Sequence, residues 1–74
     1  MDYFLKTLKG QKISKSAQIA KGSYIKGDVL IENGVKILEG AIINGPVYIG
    51  ENSVIANNTL VRESIIGKNC VIGF

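Results

Sequence analysis

"VKILEGAIINGPVYIGENSVIANNT", residues 35–59, carries an isoleucine at every sixth position: Ile37, Ile43, Ile49 and Ile55. A helix repeats near 3.6 residues and an ordinary strand at 2, so neither explains a large aliphatic side chain every six. Followed outward, the series runs Ile13, Ile19, Ile25, Ile31, Ile37, Ile43, Ile49, Ile55 and Val61 without a miss. It then slips by one residue and resumes at Ile66 and Ile72. Fixed-period self-similarity outranks local propensity as a fold signal.

The other positions of the hexad agree. Two residues before each aliphatic stands a small or β-branched one: Ala17, Ser23, Val29, Val35, Ala41, Val47, Ser53, Thr59 and, after the slip, Cys70. The pairs ahead of these are turn-like, among them Lys21-Gly22, Asn33-Gly34, Gly45-Pro46, Asn57-Asn58 and Lys68-Asn69. Such pairs supply positive φ or side-chain bonds to the backbone. Each hexad is a very short strand followed by a corner. Alternate residues of a strand face one side, so the small residue and the aliphatic point inward and the residue between them points out.

Corners this tight and this frequent do not fit hairpins. Three six-residue sides close a triangular coil that stacks on the next, and stacked parallel strands satisfy one another's backbone groups. Isoleucine then lies over isoleucine. Ile13, Ile31 and Ile49 form the first wall; Ile19, Ile37 and Ile55 the second; Ile25, Ile43 and Val61 the third. The spacing predicts an all-β, parallel β-helix of about three triangular coils over residues 13–74.

Bulk properties narrow the function. Seventy-four residues allow one domain, and a core this small usually needs a disulfide, a metal or oligomerisation. There is one cysteine and no histidine, and the carboxylates are scattered, which argues against an internal disulfide or a structural metal. The net charge of +3 comes from dispersed lysines, so nucleic acid is not an expected partner. No apolar stretch approaches the roughly 20 residues of a membrane span, and the start is no signal peptide because Asp2 follows Met1 with no apolar run behind it. A cytoplasmic protein without a membrane partner is expected.

The slip falls in "VRESIIGKNCVIG", where one corner residue is lost between Val61 and Ser64; Ser64 takes the small inward position, Ile65 points out and Ile66 in. Ahead of the repeat, "DYFLKTLKG" places Tyr3, Phe4 and Leu8 at helical spacing, with Asp2 where an N-cap belongs and Gly10 where a C-cap belongs. Residues 1–12 therefore read as a short helical lead-in that caps the first coil. The chain stops at Phe74 in mid-coil, so the β-helix is expected to be truncated there.

Hexads such as "IGENSV", "IGKNCV" and "IAKGSY" resemble the hexapeptide-repeat, left-handed β-helix family. The left hand is what that resemblance implies; spacing does not give it, and most other crossovers are right-handed. "INGPVYIGENSVI" and "LVRESIIGKNCVIG" also look like the C-terminal domain of sugar-1-phosphate nucleotidylyltransferases, especially archaeal-type bifunctional members. The resemblance implies a parent enzyme that joins a sugar phosphate to a nucleoside triphosphate with a divalent metal. Some such enzymes also acetylate an amino sugar phosphate with acetyl-CoA.

This chain holds no complete catalytic set. Acyltransferases of this fold use a histidine base, and the related carbonic anhydrases hold zinc with three histidines; here there is none. "GKN" at 67–69 lacks the rest of a phosphate loop and is accounted for by the repeat. Cys70 has no base and reads as a buried structural thiol. "NNT" at 57–59 matches a glycosylation sequon but sits at a corner of the repeat. No catalytic, cofactor or metal residue is assigned.

The outward residues are more telling. Wall one carries Lys12, Leu30, Tyr48 and Ile65; wall two Gln18, Lys36, Val54 and Val71; wall three Tyr24, Ile42 and Leu60. Stripes that apolar suit packing between chains better than solvent. Tyr24, Leu30, Ile42, Tyr48, Leu60 and Ile65 are the expected interface of a homotrimer closing about a three-fold axis. The expected function is a non-catalytic β-helix and trimerisation module of a nucleotidylyltransferase. The alternative is a truncated acyltransferase domain whose histidine and acetyl-CoA groove lie beyond Phe74.

Overall fold

Residues 9–73 are described by a computed structural model, and within them the hexads become parallel strands. In chain order these are β1 (Gln11–Ile13), β2 (Gln18–Ile19), β3 (Tyr24–Lys26), β4 (Val29–Ile31), β5 (Lys36–Ile37), β6 (Ile42–Ile49), β7 (Val54–Ile55), β8 (Leu60–Ile66) and β9 (Val71–Ile72). Every strand pairing is parallel and joins one coil to the next. The register reproduces the walls: Ile13, Ile31, Ile49 and Ile66 align in turn, as do Ile19, Ile37, Ile55 and Ile72, and Ile25, Ile43 and Val61. The result is an all-β triangular solenoid of about three coils, with no helix among the described residues. The lead-in helix expected over Tyr3, Phe4 and Leu8 lies outside those residues. Among the described residues pairing begins at Gln11, inside the segment read as lead-in.

The backbone explains why six residues make one side. Two- or three-residue strands leave room for a turn, and the donors at each strand end reach the coil below. Gln18 N–H donates to Val35 O at 2.8 Å, Lys36 N–H to Ser53 O at 2.9 Å and Val54 N–H to Cys70 O at 2.8 Å. The corners turn through left-handed residues, where glycine and asparagine are the least strained choices. Gly40 (φ 78°) and Asn58 (φ 58°) stack at one corner, Gly34 (φ 71°) and Asn52 (φ 60°) at another.

The core is the stacked aliphatics. Ile31, Ile37, Ile43, Ile49 and Ile55 are sealed from solvent, with Val29, Val35 and Val47 between them. Burying each isoleucine is worth about 1.5–3 kcal/mol relative to leaving it exposed. Ser53 is the buried polar side chain of this core. Its Oγ donates to Gly67 O at 2.5 Å and accepts from Cys70 N–H at 3.1 Å, so it bonds to the corner of the coil below. No buried side-chain N or O among the described residues is left unsatisfied.

The third corner differs from the other two. β6 and β8 run through it without a break, joining wall three to wall one as one bent ribbon. Asn44 aligns with Arg62 and Val47 with Ser64, so Gly45 and Pro46 stand against Glu63 alone. That is the one-residue slip, absorbed as an irregularity of register. Ile66 is buried and Ile65 half-buried, as the slipped frame requires.

Candidate functional site

Each outward residue is the middle of an inward–outward–inward triplet, so strand pairing stacks the outward set as strictly as the core. On wall three, Tyr24 aligns with Ile42 and Ile42 with Leu60. All three are exposed, at 59%, 44% and 56%. On wall one, Lys12 aligns with Leu30, Leu30 with Tyr48 and Tyr48 with Ile65. Leu30, Tyr48 and Ile65 are half-buried. The six residues expected at an interface thus form two columns flanking the continuous third corner. Wall two is not wholly polar: Val71 is exposed at its foot, below Val54, Lys36 and Gln18.

Tyr48 shows how wall one is held. Its hydroxyl donates to Glu32 Oε2 at 3.3 Å across neighbouring coils. Burial raises the phenol above its ordinary value of 10.0, and the negative charge of Glu32 adds to the shift. The ring is therefore neutral at physiological pH and presents an apolar face beside Leu30.

The corner between the columns carries charge that a search for apolar stripes overlooks. Lys26 and Asp28 flank it in the first coil, Asn44, Gly45 and Pro46 occupy it in the second, and Arg62 and Glu63 in the third. Lys26, Asp28, Arg62 and Glu63 are all exposed. Asp28 Oδ1 accepts from Gly10 N–H at 2.8 Å. Glu63 sits at φ 45°, a conformation that glycine or asparagine takes at most other corners. The sequence signal was available: opposite charges flank the same corner in two coils.

Elsewhere little chemistry is gathered. No group of three or more metal-ligating side chains lies together among the described residues. Cys70 is half-buried rather than fully buried, because none of the described strands pairs beneath it; its Sγ is 3.5 Å from Lys68 O. Asn57 and Asn58 are exposed in their corner. A depression of about 380 Å³ opens at the lower end, where the inward residues Val61, Ile66 and Ile72 line it with Leu60 and Ile65. A second, of about 460 Å³, lies beside Lys12, Ser14, Glu32 and Asn33. No helix among the described residues is long and apolar enough to cross a membrane.

Comparison with known proteins agrees with the solenoid. Dynactin subunit 6 of Caenorhabditis elegans is 30% identical over 64 residues, covering 82% of this chain and 36% of that protein. The chain thus spans about a third of that relative's length. Residues 8–74 match the GMPPB C-terminal domain, a span that takes in every strand and both outer columns. The chain therefore belongs to the GMPPB C-terminal domain family, the C-terminal modules of sugar nucleotidylyltransferases.

Proposed function

We propose that this chain is the assembly module of a sugar-1-phosphate nucleotidylyltransferase and holds three copies together about a common axis. In the whole protein, residues outside this module bind the sugar phosphate, the nucleoside triphosphate and a divalent metal. The carrying observation is the exposed column Tyr24–Ile42–Leu60, set across one edge from Leu30–Tyr48–Ile65. Two different apolar faces meeting at one edge suit a heterologous contact, wall three of one copy against wall one of the next, which closes as a ring. An assembly role is in keeping with a relative that is itself a dynactin subunit.

Light scattering at tens of micromolar tests this. The chain should show three times its own mass, 8.0 kDa per copy. Ile42→Glu puts an unpaired carboxylate among apolar side chains, a cost of several kcal/mol per interface, and should give monomer. Lys36→Glu, on wall two, should remain trimeric. A monomeric wild type overturns the assembly role. The isolated chain should show no nucleotidyl or acetyl transfer above a buffer control, and turnover in either assay overturns the non-catalytic reading.

A further inference from the structure

We infer that the third corner is a charge-matched lock between copies of this chain, in which Arg62 of one copy pairs with Glu63 of the next in a closed ring. The inference rests on the trimer reading and names what sets its geometry. Arg62 aligns with Asn44 and so ends wall three; Glu63 immediately precedes Ser64, the first residue of wall one. The first coil repeats the order: Lys26 ends wall three and Asp28 immediately precedes Val29 of wall one. In both coils the cation stands on the wall-three side and the anion on the wall-one side. A heterologous contact brings the wall-three margin of one copy to the wall-one margin of its neighbour. Cation then meets anion at every junction, and three copies close a ring of alternating sign. A face-to-face contact of like walls would set cation against cation. The neutral tier of Asn44, Gly45 and Pro46 separates the two charged tiers and lets the edges approach.

Two further observations single out the lower tier. Among the described residues the ion pair is Lys68 with Glu51, so neither Arg62 nor Glu63 is salt-bridged to another described residue. Glu63 also holds a left-handed backbone. That conformation disfavours a glutamate, and residues kept in such regions gather at functional sites. Asp28, in contrast, already accepts a bond from Gly10, which makes the upper tier the weaker ring.

Charge exchange tests the lock. Arg62→Glu and Glu63→Arg are at exposed positions, so each chain should fold, as its circular dichroism and melting would report. Sedimentation of the wild type across a dilution series gives the trimer's dissociation profile. Each single reversal should shift that profile by about tenfold or more in concentration. The double exchange, Arg62→Glu with Glu63→Arg, restores opposite signs at every junction and should return to within about threefold of wild type. Salt should weaken the wild type and the double exchange alike and strengthen the single reversals. A wild-type trimer that ignores the single reversals, or a double exchange that compounds their losses, overturns the lock while leaving the trimer standing. A wild-type monomer overturns both.

Discussion

The first and second coils share one hexad pattern but not one environment. Ile13 and Ile19 are each 38% exposed, whereas their register partners Ile31 and Ile37 are 1% exposed. The residue type, wall and inward phase are the same. The difference is that a second-coil isoleucine has a described strand above and below it, while among the described residues a first-coil one is paired on one side only. A repeat residue becomes core by having two neighbours, so stability in this fold belongs to the stack rather than to any single coil. The same holds at the other end, where Cys70 and Ile72 are half-buried although Ser53 and Ile55 directly above them are sealed.

The sharpest way to break the comparison is to cut into the middle of the stack. Ile43, between Ile25 and Val61, should lose about 2–5 kcal/mol on Ile43→Ala, read as a fall in the denaturation midpoint. Ile13→Ala, at the same phase one wall away but in the first coil, should lose only about 1 kcal/mol. Equal losses would show that the end coil is as well packed as the middle.

Glycine corners offer a finer test. Gly22 and Gly40 occupy the same corner in successive coils, at φ 81° and 78°. A Cβ on Gly40 would collide with the Asn58 carboxamide, whereas one on Gly22 would meet Glu39 Cγ at an ordinary 3.6 Å. Gly22→Ala should therefore cost about 1 kcal/mol for backbone strain alone. Gly40→Ala adds the clash and should cost about 2 kcal/mol or more. Thermal melting of the pair separates the two contributions, and identical losses would rule out the stacking of Asn58 on Gly40 as a constraint.

The smallest effect concerns pH. Tyr48 titrates higher in the fold than in the unfolded chain because burial and Glu32 disfavour the phenolate. Its contribution to stability is thus complete below about pH 10 and is lost as the pH rises through the raised value. Tyr48→Phe removes that dependence along with a hydrogen bond worth about 1 kcal/mol. Melting curves from pH 9 to 11 should show the wild type losing stability faster than Tyr48→Phe at the alkaline end. Parallel declines would mean that the Glu32 contact does not bias the phenol.

Much of the architecture was legible in the chain because the hexad is a geometric statement. A six-residue period with small residues two places before the aliphatics fixes which side chains face inward, and closure by threes fixes which lie over which. Ile25, Ile43 and Val61 could be set on one wall from spacing alone, and the slip could be placed in the corner between Val61 and Ser64. The outer columns followed from the same phase, so Tyr24, Ile42 and Leu60 were identifiable as a stripe. Their exposure, and the half-burial of Leu30, Tyr48 and Ile65, depended on how neighbouring side chains cover one another across coils. Spacing does not encode that.

What the amino-acid order settled by itself was phase, because alternation and period are properties of the covalent chain and of the pleat it adopts. Only the tertiary structure decided which corners break the strand and which carry it through. Gly27 and Asp28 separate β3 from β4, yet Asn44 to Pro46 and Arg62 with Glu63 continue as strand. The outcome rests on backbone pairing with the coil beside them, which residues 17 or 18 positions away supply. That continuity makes walls one and three a single ribbon and places Arg62 and Glu63 at its bend. Local sequence holds two adjacent opposite charges; the stacked coils make them an edge.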